Sequence, residues 1–415
     1  MLPKAPGASR AVRTFLVLLL LGIIIRSMYA GVLVAVFDVN PREEFYDDIA
    51  RNLLAGNGYT HDPAYGPNLW RPPLYPLFLT GLFAVFGPSW DLPVIVCQLL
   101  FDGLTAAIMY LVGRRLFDER VGVLAGVATV LYPLSAYYTV RLFSESIFTL
   151  ALAVIVWALL RAYASSAPRD FAMLGVALGA GVLCRPGLEL FPAVIVTGAL
   201  SLARRSPLRL VGNVFLMLVI AALVVFPWAL RTYRVTGRFF PLTVGLGNNL
   251  WLSNHLPTGG LDDNQQDAEG RRYLADTIAK IIGPGQQAFT PENDEKLLRK
   301  AYQEMLHSPG GFARLQIRKF GRFWFSTFDP AKKWVDGIIM SVQLPILVLA
   351  GFGSWAQRRR LGRWGPLPLV IGYFAVLSTL VPVTTIRYAM PIMPYVLTLA
   401  VYGVRELSLT SARPS

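Results

Sequence analysis

Residues 14–37 read TFLVLLLLGIIIRSMYAGVLVAVF, and residues 38–54 follow at once as DVNPREEFYDDIARNLL. The first stretch is apolar but for Arg26 and is long enough to cross a hydrocarbon core of about 30 Å. The second packs five carboxylates, Asp38, Glu43, Glu44, Asp47 and Asp48, against the end of that span. A membrane-crossing helix thus opens directly onto a cluster of acids.

The rest of the chain repeats the first half of this pattern. Of 415 residues, 54% are apolar and 15% charged, and mean hydropathy is +0.49, whereas soluble chains carry roughly 25% charge. A soluble enzyme is excluded. Apolar runs at 14–37, 90–113, 120–139, 145–163, 171–185, 187–203, 208–229, 335–356, 365–383 and 389–405 predict an all-α polytopic membrane protein of ten transmembrane helices. The N-terminus resembles a signal peptide, but the apolar run continues through Phe37 with no small-residue cleavage site, so it is read as a retained helix. Cys97 and Cys184 both lie inside apolar runs, which gives no disulfide framework.

Arginine placement sets the topology. Alternate short loops hold Lys4, Arg10 and Arg13; Arg114, Arg115 and Arg120; Arg161 and Arg169; Arg204, Arg205 and Arg209; Arg358, Arg359, Arg360 and Arg363; and Arg405 and Arg413. The opposite short loops hold only Arg42, Arg51, Arg71, Arg141, Arg185 and Arg387. The positive-inside rule places both termini in the cytoplasm. The basic clusters are short membrane-side loops, so nucleic acid is not a partner, whereas membrane lipids are. Residues 72–87 are too short, and too rich in proline at their start, for a crossing; they predict an interfacial or re-entrant helix on the outer face.

The chain divides into an N-terminal transmembrane module (1–230) with its first outer loop at 38–71, a polar outer-face region at 231–334, and C-terminal transmembrane helices at 335–415. Within the first loop, 43–54 is amphipathic and stops at Gly56-Asn57-Gly58. In the second, Thr290-Pro291-Glu292 starts a helix over 291–307 with Leu297, Leu298, Ala301 and Leu306 on helical spacing. Residues 240–265, rich in Gly, Pro and Asn, read as loop.

Two groups carry candidate chemistry. If 43–54 is one helix, Glu43 and Asp47 share a face, as do Glu44 and Asp48; like charges at that spacing repel and raise a pKa, which suits a general base or a cation site. Arg71, Arg141, Arg185 and Arg387 sit at outer span ends, where the positive-inside rule disfavours them; their planar donor forks suit phosphate oxygens. Arg141 and Glu145, at i and i+4, also form a candidate ion pair. Arg26, in mid-span, must face protein or a polar cavity. His61, His255 and His307 are dispersed, so no metal site is visible.

In order, the chain carries an acid cluster before Tyr46-Asp47-Asp48, then Arg71-Pro72-Pro73-Leu74-Tyr75-Pro76, Arg141-Leu142-Phe143-Ser144-Glu145-Ser146, Cys184-Arg185-Pro186, Phe226-Pro227-Trp228, Gly247-Asn248-Asn249-Leu250-Trp251 and Arg387-Tyr388-Ala389-Met390-Pro391. This series, over about 38–404, resembles the bacterial GT-C membrane glycosyltransferases related to dolichyl-phosphate-mannose protein mannosyltransferases and the lipid A aminoarabinose transferase. The resemblance implies the GT-C fold and inverting transfer of a sugar from a polyprenyl-phosphate carrier to a glycolipid, glycan or protein acceptor. It implies that this happens on the outer face of the bacterial cytoplasmic (inner) membrane. The implied base is an acid near Tyr46 in the first outer loop: Glu43 first, then Glu44, with Asp38 and Asp47 in reserve. The second implied acid is Glu145. Arg71, Tyr75, Arg185, Arg387 and Tyr388 are the implied contacts to lipid phosphate and sugar. Because a monophosphate carries less charge than a nucleotide diphosphate, arginines could replace a divalent metal, and metal-independent transfer is expected, with a divalent metal as the alternative.

Two other readings compete. An O-antigen polymerase or ligase shares the many spans and outer arginines but lacks an early acid cluster followed by Arg-Pro-Pro-Leu-Tyr-Pro. A transporter or flippase of lipid-linked sugars needs charges along a path, for which only Arg26, Asp102 and Glu189 qualify.

Overall fold

A computed structural model describes residues 8–36, 42, 44–193, 195, 207–240, 242–262, 265–327, 333–358 and 365–411. Among these the structure is helical, with no strand. The transmembrane part comprises α1 (Ala8–Val36), α4 (Leu92–Leu116), α5 (Glu119–Leu131), α6 (Ala136–Thr139), α7 (Glu145–Ser165), α8 (Pro168–Cys184), α9 (Pro207–Thr236), α14 (Lys333–Ala356), α15 (Pro366–Leu380) and α16 (Met393–Ser411). Between α1 and α4 lie α2 (Tyr46–Leu54) and α3 (Leu74–Phe86); between α9 and α14 lie α10 (Leu246–Asn254), α11 (Ala268–Ile282), α12 (Pro291–His307) and α13 (Pro309–Phe325).

Six helical segments among the described residues are long and apolar enough to cross a membrane: Ser9–Val36, Leu92–Leu116, Glu145–Ser165, Leu208–Thr236, Lys333–Ala356 and Ile386–Leu409. The chain is a multi-pass membrane protein. Three of the ten expected spans form helices of 17 residues or fewer. The run at 120–139 stops after Leu131, where Pro133 withholds a backbone donor, and resumes only as the single turn α6. Helices α8 and α15, at 17 and 15 residues, are also short. Most of the expected span 187–203 lies outside the described residues.

Small residues set how closely the long helices approach, as in other membrane bundles. A Cβ at Gly353 of α14 would overlap the Leu399 carbonyl of α16, and one at Gly403 would overlap the Leu349 carbonyl. Gly175 of α8 meets the Met217 carbonyl of α9 in the same manner, with 2.6 Å left for a Cβ.

The polar region 231–334 contains more helix than its composition suggests. Residues 291–307 form α12 as expected, with Thr290 accepting from the Asn293 amide. Leu297 and Ala301 are buried, but Leu306 is exposed rather than part of that face. The expected loop 240–265 instead contains α10. Gly247 lets α10 touch the Asp294 backbone, Asn248 N donates to Asp294 Oδ1 at 2.9 Å, and Trp251 is fully buried. Packing on α12 overrides a weak helix propensity.

Candidate active site

The helix expected at 43–54 begins only at Tyr46. Phe45 adopts φ 60°, a left-handed conformation that a residue with a Cβ seldom takes, and this turns the chain out of the helix before Glu44. Glu44 and Asp48 therefore do not share a helical face, and the like-charge pairing expected there does not form. Glu43 lies outside the described residues.

Freed from the helix, the Glu44 carboxylate accepts from Arg71 and from Arg387. Arg387 also donates through Nε to Glu145 Oε1, and Arg185 donates to the same oxygen at 2.6 Å. The result is an alternating chain, Arg71–Glu44–Arg387–Glu145–Arg185, with three positive and two negative charges. Its members come from the loop before α2, the turn before α3, the start of α7, the end of α8 and the 3-10 turn Ile386–Ile392 that precedes α16. Phe143 packs against this chain of charges: the Arg387 and Arg141 guanidiniums each stand 4.3 Å from its ring.

Burial alone would raise the Glu44 pKa, but Arg387 and Arg71 outweigh it and hold the carboxyl well below the usual carboxylate range. Asp48 moves the other way: burial, and then its neighbour Asp47, push it up. Among the described residues, Glu145 Oε2 and Arg71 Nε are buried with no hydrogen-bond partner, so the network keeps unused polar capacity there.

Two expected site residues stand apart from this network. Asp47 is buried against Arg42 and Arg51, at 3.7 and 3.6 Å. Tyr75 is fully buried one layer below, its hydroxyl donating to Gln98 Oε1 at 2.8 Å while its ring packs edge-on to Tyr46 at 5.1 Å. Tyr46 in turn lies under the Arg71 guanidinium, 4.6 Å away. Tyr388 borders the network, 5.5 Å from the Arg185 guanidinium.

Sequence reasoning missed Gln98 and Asn68. Gln98 Nε2 donates to the Thr139 and Arg141 carbonyls, both at 2.8 Å, and so fixes the turn leading to Glu145. Asn68 Oδ1 accepts from the Arg71 and Trp70 amides at 2.9 and 3.2 Å. Those contacts orient its amide so that Nδ2 faces His61 Nδ1 at 3.3 Å. Neither residue belongs to a motif; both act through partners made adjacent by folding. Among the described residues no group of three or more His, Cys, Asp and Glu is placed to hold a metal ion.

The family model for dolichyl-phosphate-mannose-protein mannosyltransferase matches residues 70–230. The oligosaccharyltransferase of Archaeoglobus fulgidus in its apo form superposes on 99% of this chain and 53% of its own, with a TM-score of 0.59 and 11% identity. This chain has the GT-C fold. The A. fulgidus enzyme AglB, in complex with an inhibitory peptide and a dolichol-phosphate, gives a TM-score of 0.58 at 12% identity, over 98% of this chain and 52% of that one. ArnT from Cupriavidus metallidurans, bound to undecaprenyl phosphate, gives 0.43 at 13% identity over 98% and 79%. The chain spans about half the length of the oligosaccharyltransferase it matches. No curated protein matches in sequence. Within this GT-C fold the family match contains Arg71, Glu145 and Arg185, while Glu44 and Arg387 lie outside it.

Proposed function

We propose that the chain is an inverting glycosyltransferase that moves a sugar from a polyprenyl-phosphate carrier to an acceptor hydroxyl. The observation that carries this reading is the Arg71–Glu44–Arg387–Glu145–Arg185 chain, which joins an acid that can take a proton to arginines that can take a phosphate. The acceptor oxygen bonds to the anomeric carbon as the bond from that carbon to the phosphate oxygen breaks. The electron pair leaves on the polyprenyl phosphate, and the hydroxyl proton passes to Glu44. Arginine donors stabilise the departing charge without proton transfer. A phosphate that draws Arg71 and Arg387 toward itself also relieves the carboxylate of the partners that depress its basicity.

The site is proposed to face the outside of a bacterial cytoplasmic membrane, with both termini in the cytoplasm. The positive-inside count supports this, as does the pairing of Arg405 with Asp118 at 2.8 Å, which brings two of the proposed cytoplasmic loops together. The transporter reading loses support because Arg26 is buried, 3.8 Å from Asp102 and donating to the Thr129 carbonyl at 2.8 Å, which ties α1, α4 and α5 together.

The test uses protein in nanodiscs with radiolabelled polyprenyl-phosphate sugars and scores release to acceptor or water. Release of one sugar, abolished by Glu44→Gln, is expected. Flipping of the labelled lipid with no release from any donor would overturn the reading.

A further inference from the structure

Beside the arginine network lies a cavity of about 460 Å³, lined by Phe45, Asp48, His61, Asp62, Pro63 and Tyr65. Its volume falls within the range of small-molecule sites. It adjoins the network at two points: Phe45 follows Glu44 directly, and Trp70 precedes Arg71. The rings of Phe45 and Trp70 pack edge-on, 6.4 Å apart, with the Arg71 guanidinium 4.1 Å from Trp70.

The network and the cavity differ in charge. One is built on arginines; the other presents two carboxylates and a histidine among aromatic rings. Phe45 and Tyr65 are exposed, and the Tyr65 ring is stacked on His61 at 5.7 Å and 2°. The Asn68 amide nitrogen stands 3.3 Å from His61 Nδ1 and fixes the ring in place. Carboxylates repel a phosphate, so this cavity does not suit the donor's headgroup. Flat rings that cover the apolar faces of a pyranose, beside carboxylates that accept from its hydroxyls, suit an uncharged sugar.

We infer that this cavity is the acceptor subsite and takes a neutral carbohydrate, either a free glycan end or the headgroup of a glycolipid. The inference rests on the proposed transfer reaction, because only a transferase needs an acceptor there.

Binding can be measured without any donor, by saturation-transfer NMR on the full chain in nanodiscs. The probes are mannobiose, chitobiose and galactobiose, each free and on a hexadecyl anchor, with a serine- and threonine-containing peptide for comparison. At least one disaccharide is expected to bind, with Tyr65→Ala and Asp48→Asn each weakening it about tenfold. Stabilisation of both variants by undecaprenyl phosphate checks that they are folded. Tighter binding of the anchored form assigns a glycolipid, and equal binding a free glycan. Binding of the peptide alone, of no probe, or of a sugar with unchanged affinity in both variants would overturn the inference. Because no donor is present, these results are independent of whether sugar transfer is observed.

Discussion

Arg387 donates to Glu44, a residue 343 positions earlier in the chain. It also serves Glu145, 242 positions away, so a single guanidinium joins the first loop to the last transmembrane segment through the start of α7. Both carboxylates depend on the planar fork of that one side chain.

Arg387→Lys keeps the charge but replaces the fork with a single ammonium, leaving one largely buried carboxylate short of a partner. The expected result is a loss of about 2–4 kcal/mol in stability and about 100-fold or more in sugar transfer. Thermal melts and turnover of the same preparations check both.

Asn68→Ala removes the acceptor that fixes the Arg71 amide and the donor that holds His61, at an expected cost of about 1–3 kcal/mol. Asn68→Asp retains the oxygen but not the donor. Undecaprenyl phosphate binding should survive in the Asp variant and weaken in the Ala variant, as isothermal titration would show.

Lys319 is fully buried, and burial, followed by Arg322, pushes its pKa down to about 7 from 10.5. The unfolded chain then binds more protons than the folded chain between about pH 7 and 10. Its contribution to stability therefore rises with pH across that window, by at most about 1.4 kcal/mol per unit. Lys319→Met should flatten the pH dependence of the melting temperature there.

Glu44 follows the same slope in an acid window. Its lowered pKa adds stability that is fully present above the unfolded value of about 4.3 and is lost as pH falls further. The Glu44 contribution to melting should be constant between pH 8 and 6, and Glu44→Gln should remove part of the acid instability below about pH 4.

A Cβ at Gly403 would strike the Leu349 carbonyl. Gly403→Ala should lower the yield of folded protein with no change at any site residue, visible in size-exclusion profiles.

The sequence made the charged part of the site legible because arginines at outer span ends stand out against the positive-inside rule, and because acids directly after a span are unusual. It could not show that Glu44 leaves the helix, since that depends on the left-handed turn at Phe45. It misplaced α10, whose Gly and Asn residues read as loop until the contact with Asp294 is known. Gln98 and Asn68 carry no local signature; the carbonyl that Gln98 serves at Arg141 lies 43 residues away along the chain.

The most direct measurement compares thermal stabilisation by undecaprenyl phosphate and by undecaprenol in nanodiscs, for the wild type and for Arg387→Lys. Stabilisation of the wild type by the phosphate alone, lost in the variant, is predicted. Equal stabilisation by the alcohol, or an unchanged response in Arg387→Lys, would contradict an arginine site for the lipid phosphate.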